Sequence, residues 1–438
     1  MSGRDMLGYY VKLALRGFGR DAVLTTLVII ATGIGIGMAA TTLTILRAMS
    51  AQPIPQKASR LFAVELDNWG PAASQNALNR DQLSYADAAA LLDARRAQRQ
   101  TAMYALSFVA SRQGTEVRPV LATARAVGAD FFAMFQAPFR AGAPWSAADD
   151  AGAVVVLGAQ LAQRLFPAGD ALGRTVELDR RDYRVVGVLA PWHLQPRVYD
   201  LTSRLYQPTE DVFLPLATAI DRQMMSYGSI YCQRPPAPGW NAWLHSECRW
   251  LQFWVELPDA AAVRGYRDFL RNYALEQRRD GRFDWPPSFG LYDQRAWLAR
   301  ENMVPESLRI SSLLAFGFLA VCLVNAVGLL LAKFRSRGRE LDIRRAVGAS
   351  RRQVFCQCLM EAALVGMAGA IPGLLLAALG LTVERALVRE DYAVFTHFDA
   401  AAALLTVALA VLAALCAGVY PAWRASRPRS AWRLGSAT

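Results

Sequence analysis

Four charge-free stretches constrain this chain more than any other feature in it. Residues 22–46 carry no charged side chain, and stretches of similar length recur only at 310–332, 362–383 and 400–423. Each is long enough to cross a bilayer as one helix, which takes about 20 apolar residues. The pattern is one span, a long polar segment over 47–309, then three spans in the last third. The expected fold is a membrane protein: four transmembrane α-helices with a large mixed α/β extracytoplasmic domain between helices 1 and 2.

Charge orients these spans. The net charge is +12, and the excess sits beside them. Within residues 1–20, Arg4, Lys12, Arg16 and Arg20 stand against Asp5. The 333–361 loop holds eight basic residues against Glu340, Asp342 and Glu361, and the tail 424–438 has four arginines and no acid. The short 384–399 loop is net negative. Short loops rich in Lys and Arg stay in the cytoplasm. Both termini and the 333–361 loop are therefore expected inside, with 47–309 and 384–399 outside. Topology explains the basic excess, so no nucleic-acid partner is implied. Apolar and basic residues alternate in 1–21 as in an amphipathic helix on the inner membrane face. The apolar run after it is too long for a cleaved signal peptide.

The outer segment reads as mixed α and β. Residues 84–98 have helical spacing, 60–66 and 153–157 read as strands, and 159–166 as a helix stopped by Pro167. Residues 175–178 and 183–189 read as two strands around a polar turn with Arg180 and Arg181 at its tip. The 191–250 stretch, rich in Pro, aromatic and Arg residues, has no clean period; it is either a loop-rich insert or a partner surface. Cys232 and Cys248 lie where oxidation is possible. They form either one disulfide or two separately buried thiols, since spacing does not give geometry. Cys322 and Cys416 read as packing residues within spans, and Cys356 and Cys358 have no histidine near enough for a metal site.

Catalytic motifs are missing from this sequence. It has no H-E-x-x-H, G-x-S-x-G or C-x-x-C. Its lysines are Lys12, Lys57 and Lys333, and none follows glycine, so the chain has no P-loop of its own. No catalytic, cofactor or metal residues are assigned. Gly33 and Gly37 in the first span, and Gly369 and Gly373 around Pro372 in the third, read as small residues that let helices pack closely. No span as bounded here carries an interior acid or base, which argues against a carboxylate-driven pump.

The sharpest local signal is in the cytoplasmic loop. Leu341, Ala346 and Val347 are placed on one helical face, Gly348 breaks that helix, and Ser350 caps the next, which runs into the third span. A short charged helix set between two spans suits docking into a soluble partner. An ordinary basic loop held near anionic membrane lipid is the other reading.

This segment resembles the R-E-x-x-I-R-R-A-x-G-A-S signature of FtsX-like permease domains in MacB-type ABC transporters. Arg339, Glu340, Ile343, Arg344, Arg345, Ala346, Gly348, Ala349 and Ser350 stand at matching places. Tyr420, Pro421, Ala422, Ala425 and Pro428 match the closing Y-P-A-x-x-A-x-x-x-P. The outer segment is similar to the MacB-like periplasmic core domain, through LSYAD at 83–87 and the strand-rich run 154–189.

The resemblance implies a permease subunit in the bacterial inner membrane, with its large domain in the periplasm. ATP and Mg would be bound by a separate ABC ATPase subunit, since the fused ATPase of MacB is not in this sequence. A second permease protomer, as a homo- or heterodimer, is implied, as are a periplasmic adaptor and an outer-membrane duct where the system is an efflux pump. Arg339, Glu340, Ile343, Arg344, Arg345, Gly348 and Ser350 would form the coupling helix. Nucleotide-driven closure would move the spans and the outer domain, exporting or extracting a substrate by mechanotransmission. The alternative is an FtsX-like signalling scaffold regulating a periplasmic cell-wall hydrolase.

Overall fold

The computed structural model describes residues 22–49, 52–69, 82–112, 118–146, 149, 152–167, 169–200, 208–283, 286, 288–300, 306–387 and 400–427. The amphipathic helix expected at 1–21, residues 388–399 of the short loop and the tail beyond 427 lie outside these. The chain divides into two compact units, one over Ala51–Met303 and one formed by Met1–Ser50 with Val304–Thr438.

Helix α1 (Ala22–Met49) precedes the first of these units. Its elements are β1 (Leu61–Leu66), α2 (Tyr85–Ala94), β2 (Arg99–Ser111), β3 (Val120–Val127), α3 (Asp130–Met134), β4 (Phe139–Gly142), β5 (Val154–Leu157), α4 (Ala159–Leu165), β6 (Thr175–Leu178) and β7 (Arg181–Leu189). Then follow β8 (Val212–Pro215), α5 (Leu216–Asp221), α6 (Trp240–Leu244), β9 (Gln252–Glu256), α7 (Ala260–Arg279), β10 (Phe289–Asp293) and α8 (Gln294–Arg300). The strands form one mixed sheet in the order β10-β1-β9-β2-β3-β8-β5-β7-β4, with β6 bridging β2 and β7.

The local chemistry accounts for several of these elements. At the start of α2 the Ser84 hydroxyl accepts the Asp87 amide, satisfying a free helix N–H. The expected helix over 84–98 ends earlier, at Ala94. Arg95 closes it in a left-handed conformation, and the chain turns directly into β2. The β6–β7 hairpin turns at Asp179 and Arg180, both with positive φ, and pairs Leu178 with Arg181. Two successive left-handed residues match the strand twist of a tight hairpin. In α7 the spacing of Tyr266, Leu270 and Ala274 puts one face into the core, and Asp259 caps the helix.

Aromatic residues dominate the interior. Trp250, Trp254, Tyr104, Phe131, Phe132, Phe135 and Phe213 are all fully buried. Each contributes about 1.5–3 kcal/mol or more through the apolar area it removes from water. The 191–250 segment is part of this core: β8 lies between β3 and β5, and Trp243 packs 6.0 Å from Trp250.

The second unit is a bundle. Besides α1 it contains α9 (Glu306–Ser336), α10 (Gly338–Ala346), α11 (Arg351–Leu387) and α12 (Ala400–Ser426). Four of these helices are long and apolar enough to cross a membrane: Ala22–Arg47, Glu306–Ser336, Arg351–Val383 and Ala400–Ser426. Small residues bring α1 onto α11. A Cβ on Gly33 would lie 2.7 Å from Pro372 Cγ and 3.2 Å from the Gly369 carbonyl. One on Gly37 would lie 2.7 Å from Leu376 Cβ and 3.2 Å from the Gly373 carbonyl. The four glycines meet in one seam, where close backbone approach supplies the packing that lipid cannot displace. Val23, Leu27, Ile30, Ile34 and Met38 point the other way and are exposed.

Candidate coupling site at the span ends

Between α9 and α11 the chain has few residues in which to reverse, and its sequence makes each turn specific. Helix α10 ends where Gly348 takes φ +107°. The amides of Val347, Gly348 and Ala349 close back on the carbonyls of Ile343, Arg345 and Arg344. The next helix starts on a reciprocal cap. Ser350 Oγ accepts the Gln353 amide at 3.3 Å, and Gln353 Oε1 accepts the Ser350 amide at 2.8 Å.

A string of ion pairs ties this corner to the inside of the bundle. Lys333 on α9, with no exposed surface, lies 3.0 Å from Glu361 on α11. Arg337 Nη1 donates to both Glu361 oxygens, at 2.8 and 2.9 Å, and Arg337 Nε is 3.5 Å from Glu340. Glu340 in turn accepts from Arg344 at 2.6 Å. Thus buried charge at the end of the spans is linked stepwise to the surface of α10. The helices run past the charge-free windows, so α9 and α11 do carry a buried base and acid. Both lie just outside the windows 310–332 and 362–383.

The residues singled out from sequence divide into three roles. Leu341 is buried and seats α10, while Ile343 is 65 % exposed and Val347 84 % exposed. Leu341, Ala346 and Val347 therefore do not share one buried face as the sequence implied; Ala346 and Val347 are both exposed. Arg339 is exposed, and Glu340 and Arg344 pair with each other. Arg345 binds Asp342 at 2.9 Å and also donates to the Ala425 carbonyl on α12. That bond joins the two separate motifs, Arg339–Ser350 and the Tyr420–Ala425 part of the closing one. Gly348 and Ser350 shape the corner. Sequence reading missed Lys333, Arg337 and Glu361. One signal pointed to them: Glu361 is the sole acid between Asp342 and Glu384, and an acid in an apolar helix needs a partner.

In the sheet unit Cys232 and Cys248 form a disulfide across 16 positions. Beside it Tyr231 and Arg249 exchange backbone hydrogen bonds at 3.0 and 2.7 Å. Glu247 is gripped by Arg282 Nε at 2.6 Å and by Asn68 Nδ2 at 2.6 Å, and Arg249 by Asp67 at 2.8 Å. Replacing both cysteines by serine is expected to lower stability by about 3 kcal/mol, the loop-closure entropy of a loop this size. Thermal unfolding of the full chain with and without reductant checks this, and an unchanged midpoint would contradict it.

A model of the MacB-like periplasmic core domain matches residues 25–272. The chain belongs to this family. A second model, the FtsX-like permease C-terminal domain, matches residues 312–428. The pyoverdine export ATP-binding/permease protein PvdT of Pseudomonas entomophila is 28 % identical over 304 residues, 68 % of this chain and 40 % of that protein. The macrolide export ATP-binding/permease protein MacB of Nitrobacter winogradskyi is 28 % identical over 281 residues, 63 % of this chain and 37 % of that protein. The chain thus spans about two fifths of the curated relatives it matches. The crystal structure of the periplasmic region of MacB from Actinobacillus actinomycetemcomitans superposes with a TM-score of 0.36 at 16 % identity, covering 55 % of this chain and 92 % of that one. Most of the sheet unit of this MacB-like chain lies within the match to the periplasmic core domain, and α10, α11, α12 and most of α9 lie within the match to the FtsX-like permease domain.

Proposed function

We propose that this chain is the permease subunit of a MacB-type transporter and receives the stroke of a separate ATP-binding subunit through α10. The carrying observation is that α10 and its C-cap present two exposed apolar side chains, Ile343 and Val347, on a short helix that Arg337 links through ion pairs to Glu361 of α11 and that Arg345 bonds to α12. Exposed apolar residues on a rigid polar element suit anchoring in a protein pocket. Displacement of α10 would pull on Glu361 and Lys333 and so on α11 and α9. ATP and Mg would be held by the partner, and both termini and α10 would face the cytoplasm, as the basic excess beside the spans supports. Two permease protomers would move together and drive the periplasmic domain, exporting or extracting a substrate.

Ile343→Asp and Val347→Asp test this reading. Each is expected to weaken association with the ATP-binding subunit roughly ten- to thirtyfold, the usual effect of removing an apolar anchor from an interface. Thermal stability should stay unchanged, because neither side chain is buried within the chain. Reversal of Arg345 is a poorer test, since it also breaks the bond to Ala425. Co-purification and ATPase stimulation report the effect, and full association by both variants would refute the role of α10.

A further inference from the structure

We propose that a cleft at the α10 end of the span bundle binds the headgroup of an anionic phospholipid. The cleft lies between the end of α9, α10 and the end of α12 and has a volume of about 330 Å³. That is at the small end of ligand sites, about 300–1,000 Å³. Its lining mixes two chemistries: Arg335, Arg345, Arg424 and Arg427 with the single acid Asp342, and the apolar Leu331, Phe334, Leu341 and Pro421.

The charges are not cancelled within the cleft. Arg345 is committed to Asp342 and to the Ala425 carbonyl. The other three have no acidic partner among the described residues. Arg424 donates to the Tyr420 hydroxyl at 3.0 Å, and Arg427 lies 3.7 Å over the Trp423 ring. Arg335, Arg424 and Arg427 are all exposed. Three guanidinium groups without carboxylates favour a phosphate, which each can bind through paired N–H donors.

Three features point to a lipid as the source of that phosphate. Arg335 and Arg424 stand in the last turns of two spans, at the depth of headgroups. Tyr420 and Trp423 sit at the same level, where aromatic rings gather at membrane interfaces. The apolar wall of the cleft is joined on α9 by the exposed Val321 and Val324, which give an acyl chain an apolar surface on that helix. A soluble anion would leave that wall unused. Because the Asp342–Arg345–Ala425 contacts frame the cleft, an occupying lipid would also hold α10 against α12. The inference rests on the spans crossing a membrane and is independent of the ATP-binding partner.

The test uses the full chain, purified in mild detergent, stripped of lipid, and titrated with phosphatidylglycerol, phosphatidylcholine or inorganic phosphate. Bound lipid is counted by native mass spectrometry. Phosphatidylglycerol should be retained at least about tenfold better than phosphatidylcholine, from roughly 1 kcal/mol per arginine at the surface. The R335Q/R424Q/R427Q variant should lose that preference, whereas R351Q/R352Q, on the first turn of α11, should keep it. R335Q alone, on an exposed side chain, should lose about fivefold and serves if the triple variant does not fold. Equal retention by the cleft variants would overturn the proposal. So would displacement of the lipid by millimolar inorganic phosphate. If the cleft variant keeps the lipid but sheds a co-purifying ATP-binding protein, the arginines face that protein and the lipid assignment fails.

Discussion

Replacing Glu361 by glutamine is expected to destabilise the bundle by about 3–5 kcal/mol, the cost of breaking a buried ion pair from one side. Glu361 is buried, and Lys333 at 3.0 Å has no exposed surface at all. Without the carboxylate, the buried lysine ammonium loses its ion pair at 3.0 Å. Arg337 keeps at most one acceptor at position 361, retains Glu340 at 3.5 Å and is partly exposed, so it can turn to water. Replacing the pair together, Lys333→Met with Glu361→Leu, should recover most of the loss, because apolar groups of similar volume need no partner. Thermal unfolding of the full chain in detergent measures both. A Glu361→Gln variant within about 1 kcal/mol of the parent would show that the pair is not a structural lock.

The second large effect is expected in the periplasmic domain. Arg125 on β3 has no exposed surface and binds Glu210 at 2.6 Å, Asp200, and Gln252 at 3.4 Å. Glu210 also accepts from Arg197 at 2.9 Å and from the Tyr199 hydroxyl at 2.7 Å. Arg125→Leu removes one ion pair from each of two buried carboxylates, Glu210 and Asp200, and should cost about 3–5 kcal/mol. Burial pushes the Glu210 carboxyl up, but Arg125, Arg197 and the hydrogen bonds from Tyr199 and Arg125 outweigh it and hold it below the usual range. Burial and Glu210 push the Tyr199 phenol well up, so it stays a donor. A folded pKa below the unfolded one gives stability that is complete above the unfolded value of about 4.3. It is lost as pH falls through the folded pKa. The stability gap between the parent and Glu210→Gln should therefore be constant at neutral pH and shrink on acidification below about pH 4. A gap independent of pH would contradict this account of Glu210.

How far the sequence disclosed this architecture depends on the range of the interactions involved. The four spans were legible because a bilayer demands uncharged length, a local property. The β6–β7 hairpin was legible from a polar turn between short apolar runs, and the corner at Gly348 and Ser350 from residue types with strong backbone and capping preferences. The long β2–β3 pair was not. Its alanine, leucine and methionine residues suit helices equally well, and only pairing with β9 and β8 decides the matter. The 191–250 segment hid its order for a similar reason. Its aromatic residues pack on partners remote in sequence, as Tyr199 does on Phe131 at 5.1 Å. Lys333 and Glu361 stand just beyond the charge-free windows, so the sequence alone reads them as loop charges although both lie within helices. Each lies buried inside its helix beside the other, and they are 28 positions apart.

The most direct test of the central claim is to isolate the tagged full chain from its native membranes in mild detergent and identify what accompanies it. The account predicts an ATP-binding subunit with a P-loop, lost on Ile343→Asp or Val347→Asp. Recovery of the chain with no ATP-binding protein, even after cross-linking in cells, would contradict it and leave the periplasmic domain to work without ATP.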